Sequence, residues 1–192
     1  MPAEIPAALE FLLTRRSYPA RTLTLPVPDR ALVELILKAA ARVPDHGKLE
    51  PWRFIVLHKP ALQRLAGLVA RRAVELNTDP DKRPKSVAQY AQADLAVVVV
   101  SVPKSTVKVP LSEQVYSAGA VCMGVLHAAT ALGFGANWLT GWLSYDRVFL
   151  TEGLGLAPEE SVAGIIHIGT VGEVVPDRPR PDLARITTWA DA

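Results

Sequence analysis

The sequence predicts one domain of α/β type, in which helices cover a buried sheet. Three observations carry that expectation. Residues 95–102 and 162–171 are largely apolar stretches, the first without any polar alternation, as in strands covered on both faces. Apolar residues elsewhere recur at helical spacing, in segments bounded by Asp, Pro and Gly. The chain has 192 residues, of which 49% are hydrophobic and 21% charged, so it is globular and long enough for a sizeable core.

The elements follow in order. Residues 6–15 read as a first helix with Leu9, Leu12 and Leu13 on one face, and Arg15, Arg16 and Ser17 at its C-terminal end. Asp29, after Pro28, is placed to cap a second helix. Leu32, Leu35, Ile36, Ala39, Ala40 and Val43 then fall at helical spacing until Pro44 stops it. Residues 54–58 form a short strand. Residues 61–76 form an amphipathic helix carrying Arg64, Arg71 and Arg72, and residues 77–86 read as a polar, proline-containing loop. After the strand at 95–102, Ser112 is placed to cap a long helix over 113–132. A strand at 136–139, a short helix capped by Ser144 and the strand at 162–171 complete the core elements. Residues 176–181, rich in Pro and Arg, read as extended chain on a surface. No internal repeat or linker divides residues 1–192.

Several functional classes fall away. The net charge is only +2, from 21 basic and 19 acidic residues, which does not predict a nucleic-acid partner. The single cysteine, Cys122, precludes an internal disulfide, suits a reducing cytoplasm and reads as a buried structural thiol. Arg15-Arg16 partly mimics an export signal, but the apolar run precedes the arginines and prolines follow them, so no such signal is expected. No Asp, Glu, Lys or Arg occurs between Glu113 and Asp146. This stretch breaks at Gly133, Gly135 and Asn137 and reads as buried helix and strand rather than a membrane span. The four histidines, 46, 58, 127 and 167, show no metal-ligand spacing, and His127 and His167 read as core residues. Walker, GxGxxG and GxSxG patterns are absent.

What remains is a set of anion and ring binders. Arg15 and Arg16 offer forked donors, and Ser17 adds a hydroxyl; together they suit a phosphomonoester dianion. The segment 43–52 packs Pro44, Asp45, His46, Gly47, Lys48, Glu50, Pro51 and Trp52 between a helix and a strand, a composition suited to a binding loop. Arg42 and His46 are two further candidate donors. Ala120, Gly124 and Ala128 recur every four residues along the long helix. Such a stripe admits close approach of another helix, either within the chain or across a subunit interface.

Together these motifs resemble the nitroreductase family, in particular its small, near-minimal bacterial branch. The resemblance rests on their order: Arg15-Arg16-Ser17, then Arg42-x-Pro44-Asp45-His46 before Pro51-Trp52, then Ser117-Ala118-Gly119-Ala120, then Gly133-Phe134-Gly135 before Trp138. It implies an α+β fold with a central mixed sheet flanked by helices, and an intertwined homodimer. It further implies FMN at the dimer interface, with NADH or NADPH passing electrons by a ping-pong cycle to a nitroaromatic, quinone or similar small-molecule acceptor. Carried over by position, Arg15, Arg16 and Ser17 match the segment that contacts the FMN phosphate and ribityl chain. Arg42 and His46 match residues that reach the flavin from the partner subunit. Trp138, Leu139 and Thr140 match a segment lining the same site, and residues 128–133 match one assigned in some members to the nicotinamide cofactor. Leu139 departs from the basic residue that relatives often carry; Arg178 or Arg180 in the tail could replace that charge. No catalytic side chain and no metal ligand is implied. Two other readings stay open: a flavin-binding carrier or sensor without turnover, and a non-flavin interaction domain that binds acidic partners.

Overall fold

The computed structural model of the chain describes residues 6–173 and 175–190. Its central strand, β3 (Leu95–Ser101), is buried at every position. It lies between β2 (Trp52–His58) and β5 (Ser161–Val171), and β5 also pairs with β1 (Leu23–Thr24) and β4 (Gly135–Leu139). The four pairings are all antiparallel, so β3 and β4, both beside β5, run in the same direction without touching.

Side chains alternate across a strand, so β3 feeds two cores. Ala96, Val98 and Val100 point into one, where they meet Leu62, Leu65 and Val69 of α3 (Lys59–Glu75) and Tyr90 of α4 (Arg83–Ala91). Leu95, Val97 and Val99 point into the other. There they meet Val33, Ile36 and Ala40 of α2 (Arg30–Ala40), and Val121, Cys122 and Val125 of α5 (Leu111–Ala131). This double cover is why the strand carries no polar alternation. The α+β class, with a central sheet between helices, is as expected.

Asp29 caps α2 as expected, accepting from Leu32 N at 2.9 Å. The buried face of that helix is shifted: Val33, Ile36 and Ala40 are inside, while Leu35 and Ala39 are exposed. The stripe on α5 meets α2 within the chain. A Cβ on Gly124 would lie 2.9 Å from Ala40 Cα, so only glycine permits this approach. Cys122 is fully buried, and burial pushes its thiol up to about 12, as befits a structural cysteine. His167 is also buried, with neither ring nitrogen partnered; burial lowers it to about 4 and keeps it neutral. His127 is only half-buried.

Other expectations need correction. Residues 83–86, expected in the loop over 77–86, instead begin α4, because Pro84 occupies its first turn, where a missing N–H costs nothing. Ser112 does not cap α5; the helix begins earlier, after Pro110, and has no side-chain cap. Ser144 closes a short 3-10 turn, Trp142–Ser144. The helical segment beyond it is capped by Asp146, which accepts from Phe149 N at 3.2 Å. The proline-rich tail ends in a further short helix, α6 (Leu183–Ile186). Helix α1 (Ala7–Thr14) buries nothing: Leu9, Leu12 and Leu13 are all exposed. Among the described residues, no helix is long and apolar enough to cross a membrane.

Candidate functional site

At the C-terminal end of α5 the chain leaves α1 and runs extended through Arg15, Arg16 and Ser17. Two contacts tie this segment to β4: Tyr18 N donates to Ala136 O at 3.1 Å, and Asn137 Nδ2 donates to Tyr18 O at 2.6 Å. Arg15 and Arg16 thereby wall a cleft of about 270 Å³, together with Tyr18, Thr130 and Phe134. Arg15 donates to Ser17 Oγ at 3.2 Å, but its Nε is buried with no partner. Arg16 donates to the carbonyl of Val175. Burial, and then the positive charge of Arg180, depress the Arg15 pKa, yet a guanidinium keeps its proton at any physiological pH. The tail arginine therefore lies close enough for the two cations to sense each other. Arg180 itself donates to Asp177 Oδ1 at 2.6 Å.

Asp177 is near enough for the Arg16 charge to help lower its carboxyl pKa, but its ion pair is with Arg180. Among the described residues, no carboxylate lies within ion-pair distance of Arg15 or Arg16. His127, beside Phe11 with ring centroids 5.7 Å apart, is kept below its usual pKa by burial and by Arg15. The C-termini of α1 and α5 both point here and offset part of the positive charge. A buried orphan donor and a second guanidinium on one cleft, with the Ser17 hydroxyl beside Arg15, fit a phosphate dianion, whose oxygens accept from such donors.

His46 lies at the other end of α5, with Arg42 between it and the Ala40–Gly124 contact. Pro44 O accepts from Ser117 Oγ at 2.8 Å, and Ser117 Oγ accepts from Trp52 Nε1 at 3.1 Å, so the loop is pinned to the first turns of α5 and the start of β2. The Asp45 carboxylate accepts from Leu49 N at 3.1 Å and Glu50 N at 2.8 Å. These bonds hold Gly47, Lys48 and Glu50 at φ of 76°, 52° and 47°, a left-handed run that side chains other than glycine's rarely adopt. His46 Nδ1 lies 2.7 Å from Glu113 Oε2. Arg42 is exposed, without a side-chain hydrogen bond or ion pair to another described residue. From Glu113 to Thr130 the axis of α5 rises about 25 Å at 1.5 Å per residue. His46 is therefore remote from Arg15, Arg16 and Ser17 of the same chain, while Arg42, between Ala40 at Gly124 and Pro44 at Ser117, lies beside the middle of the helix.

Trp138 and Leu139 occupy the end of β4, opposite Ile166 and Ile165. The Trp138 indole donates to Ala163 O at 3.3 Å and lies against Gly164, where any Cβ would come within 2.1 Å of Nε1. Cys122 Sγ lies on the same side of that glycine, 2.9 Å from where such a Cβ would be, which places the indole near the middle of α5. Leu139 is half-buried and Thr140 exposed. The residues missed in the sequence are the ones that position others: Tyr18, Asn137, Glu113 and Ser117. Glu113 left a signal as the last charge before the long uncharged stretch, Ser117 as the first residue of the Ser117–Ala120 motif and Asn137 as a break in that stretch, but none of these showed a positioning role.

The profile of the Nitroreductase family matches residues 12–170. A Haemophilus influenzae protein named "Putative NAD(P)H nitroreductase" is 36% identical over 165 residues, spanning 85% of this chain and 88% of that protein. "Putative NAD(P)H nitroreductase YdjA" of Escherichia coli K12 is 33% identical over 163 residues, spanning 85% and 87%. Among solved structures, a nitroreductase-like family protein from Bacillus cereus superposes with a TM-score of 0.82 at 19% identity, covering 100% of both chains. A nitroreductase with bound FMN from Bacteroides fragilis gives 0.75 at 22% identity, covering 97% of this chain and 100% of that one. At those identities the structures speak for the fold alone.

Proposed function

The chain belongs to the Nitroreductase family, and from that premise we propose that it is an FMN-dependent NAD(P)H oxidoreductase working as a homodimer. One observation carries the cofactor: Arg15, whose buried Nε has no partner among the described residues, walls a cleft of about 270 Å³ with Arg16, and Ser17 Oγ lies 3.2 Å from its guanidinium. When bound, FMN accepts a hydride equivalent from NAD(P)H and passes electrons to an acceptor such as a nitroaromatic or quinone.

The protein's part is to bind and orient. Arg15, Arg16 and Ser17 hold the phosphate, and Arg180 adds positive charge from the tail in place of the basic residue absent at Leu139. Trp138, Leu139 and Thr140 line the ring end. Arg42 and His46 serve the site of the partner subunit, with Arg42 stabilising negative charge on the ring. Three features support this division. His46 lies about 25 Å along α5 from Thr130, which lines the Arg15 cleft, and Arg42 stands beside the middle of that helix. They are exposed and held on a rigid loop. Leu9, Leu12 and Leu13 on α1, with Leu111, Val115 and Tyr116 on α5, form exposed apolar surface of the kind a second subunit covers.

The purified protein should be yellow, or become so with added FMN, and bleach anaerobically with NADH or NADPH. Recovery of colour with a nitroaromatic or quinone completes the expected result. A colourless protein indifferent to FMN would refute the proposal, and a bound flavin that neither nucleotide bleaches would favour a carrier or sensor.

A further inference from the structure

We infer that Glu113 is a positioning residue for the ligand site: its carboxylate keeps a proton on Nδ1 of His46 and fixes the ring so that Nε2 is the nitrogen offered to bound flavin. The inference rests on the reading that His46 belongs to an FMN site.

The contact is 2.7 Å, between His46 Nδ1 and Glu113 Oε2. An ionised carboxylate only accepts hydrogen bonds, so at this distance Nδ1 must be the donor. Nε2 is then free for a ligand. Glu113 stands in the first turn of α5, where the helix dipole favours a negative side chain, so its own position is stable without a basic residue beside it.

The backbone around His46 is already fixed from both sides. Pro44 is held by Ser117, and the Asp45 carboxylate bridges Leu49 N and Glu50 N. Rotation of the imidazole is the freedom that remains, and the Glu113 contact removes it. Stability does not account for this arrangement. The two side chains are 60% and 46% exposed, and ion pairs that open to water add little to folding. The geometry matches instead the outer partners that set the tautomer and direction of ligand-binding histidines.

The test uses the full-length chain labelled with 15N-histidine, first without flavin. The His46 signal should show a protonated Nδ1. Glu113→Ala should release the ring to its Nε2–H tautomer, leave the melting temperature unchanged and weaken FMN binding about tenfold, the lower range for losing such a partner. Glu113→Gln, whose amide oxygen still accepts from Nδ1–H, should keep the tautomer and most of the affinity. A neutral Nε2–H tautomer in the wild type would overturn the inference. So would a Glu113→Ala protein with unaltered tautomer and unaltered FMN affinity. Failure of the wild type to bind FMN would defeat the functional reading, whereas the tautomer is read without flavin and separates the two failures.

Discussion

The arginines on the two sides of the molecule are treated differently. Toward α3, Arg53 forms a forked pair with Glu160 at 2.7 Å, Arg72 forms one with Asp146 at 2.8 Å, and Arg147 donates to a row of carbonyls from Leu156 to Glu160. Toward α5, Arg15, Arg16 and Arg42 meet no carboxylate among the described residues. A forked pair fixes two elements to each other and leaves no charge over. A guanidinium that ends on a hydroxyl, a carbonyl or nothing keeps its charge for a ligand. Sequence composition treats the two sets alike; their partners separate them.

The largest expected effect tests the second set. Arg15→Ala with Arg16→Ala should weaken FMN binding at least about a hundredfold, since each charged hydrogen bond contributes about 1.5–3 kcal/mol. Melting temperature should hardly move, because neither arginine closes an ion pair. A large loss of stability with intact FMN affinity would place these arginines among the structural ones.

The converse holds for Glu160. Glu160→Ala should cost about 2 kcal/mol of stability and leave FMN affinity unchanged; the figure is at the low end because the Arg53 side chain remains 39% exposed. The pair also sets a pH dependence. The Arg53 guanidinium holds the Glu160 carboxyl down at about 2 in the folded state, against an ordinary value of 4.5. The unfolded chain therefore binds the extra proton first as pH falls. The stabilisation is complete above about 4.5 and is lost progressively toward 2. In denaturant titrations across that window, Glu160→Gln should flatten this part of the slope. A slope identical to wild type would assign acid sensitivity elsewhere.

Arg42→Ala is expected to be mildest: FMN affinity or the rate of flavin reduction should fall about tenfold, from one lost charged hydrogen bond. Stopped-flow reduction and equilibrium binding that both match the wild type would remove Arg42 from the site.

Much of the fold was legible because burial leaves a local trace. The unbroken apolar run of β3 announced cover on both faces, and Asp29 announced the start of α2. Helix α4 left no such trace, since Pro84 and its polar neighbours also compose loops. Leu9, Leu12 and Leu13 have the periodicity of a core face but are exposed, because spacing marks an apolar face and not what that face meets. The candidate binding groups were legible as residue types. Their separation was not, as it depends on the length of α5 and on where Ser117 and Asn137 anchor the flanking segments.

A site shared between two copies is the central claim, and a hybrid dimer tests it. One chain would carry Arg15→Ala and Arg16→Ala, the other Arg42→Ala, with a different affinity tag on each to isolate the heterodimer. Shared sites place both defects in one cleft and leave the other intact, so FMN titration should find one site of wild-type affinity per dimer. If each chain built its own site, both clefts would be damaged, and no site of wild-type affinity would appear.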